Sequence, residues 1–135
     1  GDDLTLESTS HATKGHIQAK DDLQVDKVAR FDAEYDNGNS GTSKTVDWNN
    51  GNFQKVTLTG NVTFTFTAPA GPGWFTLRCI QDATAGRTVT WPGTVVFPTG
   101  GTESLSSDTN AQVRIFTFHW DGTTYRGGQS PVYAS

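Results

Sequence analysis

Apolar and polar positions alternate regularly only from Lys44 onward. Val56 and Leu58, then Val62, Phe64 and Phe66, are each separated by Thr, with Thr59-Gly60-Asn61 between the two runs. A period of two places these side chains on one face of extended backbone, which predicts a hairpin with one apolar face. Ala68-Pro69-Ala70-Gly71-Pro72-Gly73 cannot continue a central strand, because its prolines lack the N–H donor. It leads into residues 74–80, a nearly continuous apolar run broken by Arg78 that predicts a buried central strand. Short strands are predicted over residues 87–91 and 94–97, split by Pro92-Gly93, and a Gly/Ser/Thr loop over 99–110. Residues 111–120 alternate again, with Val113, Ile115 and Thr117 on one face and Phe116, Phe118 and Trp120 on the other, so both faces are expected to be covered. Asp121-Gly122 predicts a hairpin turn into a last strand over 123–126, and Gly127-Gly128 the release of a polar tail.

The earlier part of the chain is sparser. Leu4 and Leu6 alternate with polar neighbours, Ile17 stands almost alone, and Leu23, Val25, Val28 and Phe31 are too thinly spread to close a core. Their spacing over residues 20–31 fits neither period well and is read as short strands rather than a helix. Asp36-Asn37-Gly38-Asn39-Ser40-Gly41 carries no apolar side chain and reads as a linker or wide loop. Strands recurring about every 8–12 residues without a convincing helix place the chain in the all-β class. The expected architecture is an antiparallel β-sandwich or barrel, jelly-roll-like. Residues 44–135 would form this domain with its short polar tail, and residues 1–43 an extended segment for trimerisation or anchoring.

Composition narrows the choice of function. With 135 residues, 33% of them hydrophobic, and 21 threonines, a small core must order many residues at roughly 1–2 kcal/mol of backbone entropy each. Such a chain is expected to borrow its core from neighbours. Ten basic against 14 acidic residues give a net charge of −4, with no cluster to neutralise a phosphate backbone, so nucleic acid is not an expected partner. No apolar run approaches the roughly 18 residues of a membrane span, and no membrane insertion is expected. The opening Gly1-Asp2-Asp3, without Met, is unlike a signal peptide and reads as the start of a processed or excised piece. A single cysteine, Cys79, excludes an intrachain disulfide and a multi-cysteine zinc site.

Several stretches together resemble the C-terminal domain of phage tail-fibre and related virion proteins. They are residues 56–64 (VTLTGNVTF), 73–77 (GWFTL), 88–92 (TVTWP) and 118–125 (FHWDGTTY), and residues 4–17 (LTLESTSHATKGHI) resemble an element of phage fibre and appendage proteins. The resemblance implies a homotrimeric β-structured assembly on the virion, associated with other virion proteins. Its motifs identify no active-site residue. Three copies of Leu4, Leu6 and Ile17 around a common axis would bury one another as a trimeric neck, with edge strands paired between chains.

Candidate chemistry is thin. His11, His16 and His119 form no His-x-His or His-x-x-x-His pair, and neither a metal nor a cofactor is expected. Asp32 to Gly38 departs from a calcium loop in its glycine position, and Ser43 stands where a bidentate Glu belongs. Asp2-Asp3 and Asp21-Asp22 are sequence neighbours whose side chains diverge on a strand and cannot flank one glycosidic bond. Ser106, His119 and Asp121 lack a nucleophile elbow, so no enzyme is expected. Aromatic faces beside polar turn residues remain: Trp48 with Asn50, and Trp91 before Pro92-Gly93, are the candidate contacts with a host-surface glycan or a trimer interface. The expected function is the distal part of a trimeric tail fibre in host attachment. A capsid decoration protein or head fibre, or a monomeric carbohydrate-binding module, is the alternative.

Overall fold

The computed structural model describes residues 23–99 and 105–134, and the chain divides into two units, Gly1–Phe31 and Asp32–Ser135. In the first unit, residues 23–31 are exposed irregular backbone rather than the strands expected there. Leu23, Val25, Val28 and Phe31 follow no period that would give extended backbone one apolar face.

Among its described residues the second unit has nine strands: β1 (Tyr35–Asn39), β2 (Ser43–Asp47), β3 (Phe53–Leu58), β4 (Val62–Thr67), β5 (Gly73–Gln81), β6 (Val89–Thr90), β7 (Val95–Val96), β8 (Val113–Trp120) and β9 (Tyr125–Gln129). A six-stranded sheet has the order β1-β3-β5-β8-β9-β7, and a three-stranded sheet the order β2-β4-β6. Through β6 the chain thus passes alternately from one sheet to the other, and these six strands stack as successive turns of a flattened coil. Tyr35 pairs in parallel with Gln54, and Ser43 with Thr63, 19 and 20 residues on. β8 and β9 then pair antiparallel beside β5, and β7 adds in parallel at the edge of the larger sheet.

The all-β class holds, but strand direction corrects the expectation of an antiparallel, jelly-roll-like sandwich. Among the described residues five of the seven strand pairings are parallel. The predicted hairpin at Thr59-Gly60-Asn61 is instead a corner, with β3 and β4 in different sheets. The Asp36–Gly41 stretch read as a linker is β1 and the corner that follows it. These corners stack. Thr59 N–H donates to Ser40 Oγ (3.1 Å), Gly41 N–H to Thr59 Oγ1 (3.0 Å), and Val62 N–H to the Thr88 carbonyl (2.9 Å). A Cβ on Gly60 would lie 2.8 Å from the Gly41 carbonyl oxygen, so glycine here serves the close approach of two corners. The tail differs too: β9 runs through Gly127-Gly128, and Tyr133 continues the pairing on Val113.

Two buried glutamines hold the corners from within. Gln54, fully buried, donates through Nε2 to the carbonyls of Asp47 (2.7 Å) and Gly51 (3.0 Å) and accepts from Asn37 Nδ2 (2.9 Å). Gln81 donates to the carbonyls of Arg87 and Leu105 and accepts from Arg87 N–H. Arg114 and Asp108, both buried, form a bidentate pair with two 2.7 Å contacts that ties the 105–112 segment to β8.

Between the sheets lies one aromatic-rich core. Val46, Val56, Leu58, Val62, Phe64, Leu77, Phe116, Phe118 and Tyr125 are buried in it, with Phe66, Trp91 and Phe97 packed against it. The outer face of the smaller sheet presents Thr45, Thr63, Thr65, Thr67 and Thr90 to solvent, a surface β-branched hydroxyl residues suit. The second apolar face expected for residues 111–120 is only partly covered: Val113 and Ile115 are half-buried and Thr117 exposed.

Turns are pinned by one device. Asp36, Asp82 and Asp121 each accept backbone N–H groups two or three residues on and each pair with a cation, respectively Lys55, Arg87 and Arg126. All three carboxyls sit below the usual carboxylate range, Asp36 chiefly through the Gly38 N–H and Asp82 and Asp121 chiefly through their arginines.

Two predictions follow from these contacts. Gln54→Leu keeps the volume but leaves the Asp47 and Gly51 carbonyls without their donor; it is expected to lower the urea midpoint by the equivalent of about 2–4 kcal/mol, at about 1–3 kcal/mol per buried group. An unchanged midpoint would remove the amide from the corner's support. Because the three carboxyls titrate lower in the folded than in the unfolded chain, their stabilisation is present above about pH 4 and fades as pH falls through their folded values. The melting temperature should therefore decline from about pH 5 to pH 2, and an Asp82→Asn, Asp121→Asn double variant should melt lower at pH 6 and decline less steeply.

Candidate functional site

The expected aromatic contacts fall inside the domain. Trp48 begins a short 3-10 turn, Trp48–Asn50, capped by the Asp47 carboxylate, and the turn drives the indole inward to 2% exposure. Trp91 is half-buried. The two indoles share partners: Trp48 lies 5.3 Å from Phe66 and 6.0 Å from Phe118, and Trp91 6.2 and 5.5 Å from the same rings. Asn50 is exposed at the end of the turn. Leu4, Leu6 and Ile17, with His11 and His16, lie outside the described residues.

Of the four tryptophans, Trp74 alone is turned outward, at 65% exposure. In β5, Phe75, Leu77 and Cys79 face the core, so Trp74, Thr76, Arg78 and Ile80 face out. The signal was present in the sequence: strict alternation puts Trp74 on the same face as Arg78, a side chain whose charge belongs in solvent. Asn52 holds the backbone at this point, its Nδ2 donating to the Trp74 carbonyl at 2.7 Å.

Strand register places a row of side chains across this outer face. Trp74 pairs with His119 and His119 with Arg126, while Val96 pairs with Arg126 from the far side. The indole and imidazole centroids are 4.9 Å apart with planes at 60°. The Arg126 guanidinium is held by the Asp121 carboxylate, whose other oxygen accepts from Thr123 N–H, Thr123 Oγ1 and Thr124 N–H, each at 2.9 Å.

Beside Trp74 lies an open depression of about 410 Å³, lined by Trp74, Val96, Phe97, Pro98, Thr117, Arg126, Gly127 and Gly128. Its volume is within the roughly 300–1,000 Å³ of small-molecule clefts. The two glycines differ. A Cβ on Gly127 would meet Phe97 Cε1 at 2.7 Å and Phe118 Cε1 at 3.0 Å, whereas nothing lies within 4 Å of one on Gly128.

The arrangement offers an aromatic face, apolar walls and a positioned guanidinium, which is equipment for binding. Among the described residues no group of three or more His, Cys, Asp or Glu could hold a metal ion. Burial pushes the Cys79 thiol well above its ordinary range, away from the thiolate a nucleophile requires.

The contrast between tryptophans is measurable. Trp48→Ala is expected to cost about 3–5 kcal/mol of stability by opening the core, and Trp74→Ala no more than about 0.5 kcal/mol. Equal losses in denaturant unfolding would contradict the placement of the two indoles.

Residues 31–125 match the family model described as "Putative phage tail fibre C-terminal domain". No curated protein and no solved structure matches the chain. The matched span covers more than two thirds of the 135 residues and takes in β1 to β8 whole, with the Trp74–His119 pair and the three strands of the smaller sheet. The chain therefore belongs to the phage tail fibre C-terminal domain family.

Proposed function

We propose that the chain is the distal part of a homotrimeric tail fibre that takes part in host-surface attachment. Family membership implies a virion component with a structural role. The observation that carries the finer reading is the outward row of Trp74, His119 and Arg126 beside an open depression. A large indole left in solvent on rigid strands favours contact with another molecule, because burying it yields a large apolar area at small entropic cost. The role is attachment and assembly without catalysis, and the partners are other copies of this chain, other virion proteins and the host surface.

In this reading the segment before the compact domain is the trimeric neck. Leu4, Leu6 and Ile17 are too few to form a core in one copy, but three copies bury one another around a common axis.

The expected solution mass of the full chain is about three times 14.6 kDa, constant on dilution in light scattering coupled to size exclusion, and Leu6→Asp should reduce it. A monomer, or a trimer indifferent to Leu6→Asp, would reject the neck. The fluorescently labelled chain should adhere to cells of the phage's bacterial host and not to receptor-deficient mutants resistant to the phage. Absence of adherence by an intact trimer would reject the attachment role.

A further inference from the structure

We propose that the depression beside Trp74 is a saccharide subsite that takes one neutral pyranose ring; this rests on the attachment role above and names its ligand class. The apolar C–H face of a pyranose packs against an exposed indole while its hydroxyls require fixed polar partners at the rim. Both halves of that requirement are present. Trp74 stands 65% exposed on a central strand with His119 against it. Across the row, Arg126 gives one N–H to Asp121 and retains others of its five donors for hydroxyl oxygens.

Charge selects neutral over acidic sugars. The Asp121 carboxylate already balances Arg126, and the chain carries a net charge of −4, so a carboxylated sugar would gain little from the guanidinium and would approach a fixed carboxylate. The space is made by sequence as well. Gly128 is exposed on the same face as Arg126, and its backbone is outside the left-handed region, so its conformation does not demand glycine. Its missing side chain leaves the floor of the depression open, and a branched residue there would fill the space a ring requires.

The test is a titration of the full-length chain, followed by 15N–1H NMR, with the methyl glycosides of glucose, galactose, mannose and N-acetylglucosamine, and with glucuronate alongside. At least one neutral glycoside should saturably shift the Trp74 indole N–H and the amides of Gly127 and Gly128, with glucuronate binding more weakly. Trp74→Ala and Gly128→Val should each weaken that binding at least tenfold with melting temperature preserved; if Gly128→Val melts early, Gly128→Ser takes its place. The proposal is overturned if no neutral glycoside shifts those signals, if glucuronate binds more tightly, or if the floor variant binds as the parent does. It is equally overturned if Trp74→Ala lowers the solution mass, which would make the depression a contact between copies. Adherence to host cells separates the two readings. Adherence by a parent chain that binds none of the glycosides removes the subsite and keeps attachment; glycoside binding by a parent chain that does not adhere keeps the subsite and removes attachment.

Discussion

Each time the chain leaves one sheet for the other it must abandon a ladder of backbone hydrogen bonds, and the groups released there lie beside an apolar core. An unpaired buried carbonyl or N–H costs about 1–3 kcal/mol, so a coil of this kind exists only if its corners are satisfied. Here the corners satisfy one another. Ser40, Gly41 and Thr42 meet Thr59 and Thr63, and Asn61 and Val62 meet Thr88, while Gln54 and Gln81 reach the corner groups from inside. Parallel stacking follows from this arrangement, because only successive turns running the same way bring corner onto corner.

The outer surface inherits its order from the same stack. Once β5 is held in register between β3 and β8, alternation sends Phe75, Leu77 and Cys79 inward and leaves Trp74 and Arg78 outside. The antiparallel pairings of β8 and β9 then carry the row onward through His119 to Arg126. Gly127 lets Phe97 and Phe118 close the core beneath that row, where any Cβ would clash, and Gly128 keeps the surface above it open. Core and candidate site are therefore two faces of the same strands, and a change of register by one residue would exchange them.

Three of the described carboxylates combine a turn with a cation. Asp36, Asp82 and Asp121 each hold a tight turn through backbone N–H groups and anchor a basic side chain from a neighbouring position. At Asp121 this arrangement reaches the candidate site, because the carboxylate that closes the β8–β9 turn also orients Arg126. The precision of the guanidinium there comes from a turn, not from a dedicated binding loop.

The all-β class, the strands near residues 56–58, 62–66, 74–80 and 113–120, the β8–β9 turn and the family were legible in the sequence, since alternation, Gly/Pro punctuation and local motifs are carried by neighbouring residues. Strand direction was not. Thr59-Gly60-Asn61 has the composition of a hairpin turn, and only its contacts with Ser40, Gly41 and Thr88 make it a corner. For the same reason Asp36–Gly41 looked like a linker, although Gln54 and Lys55 of the next turn hold it as a strand. Trp48 looked like a surface residue beside polar neighbours until a 3-10 turn aimed it into the core, whereas the parity that exposes Trp74 could have been read from Arg78. The sequence by itself determined the extended runs near residues 56–58, 62–66, 74–80 and 113–120, because alternation depends on separations of one or two residues. The tertiary structure decided which strands pair, in which direction, and that Trp48 turns inward, because those depend on contacts between groups about twenty or more residues apart.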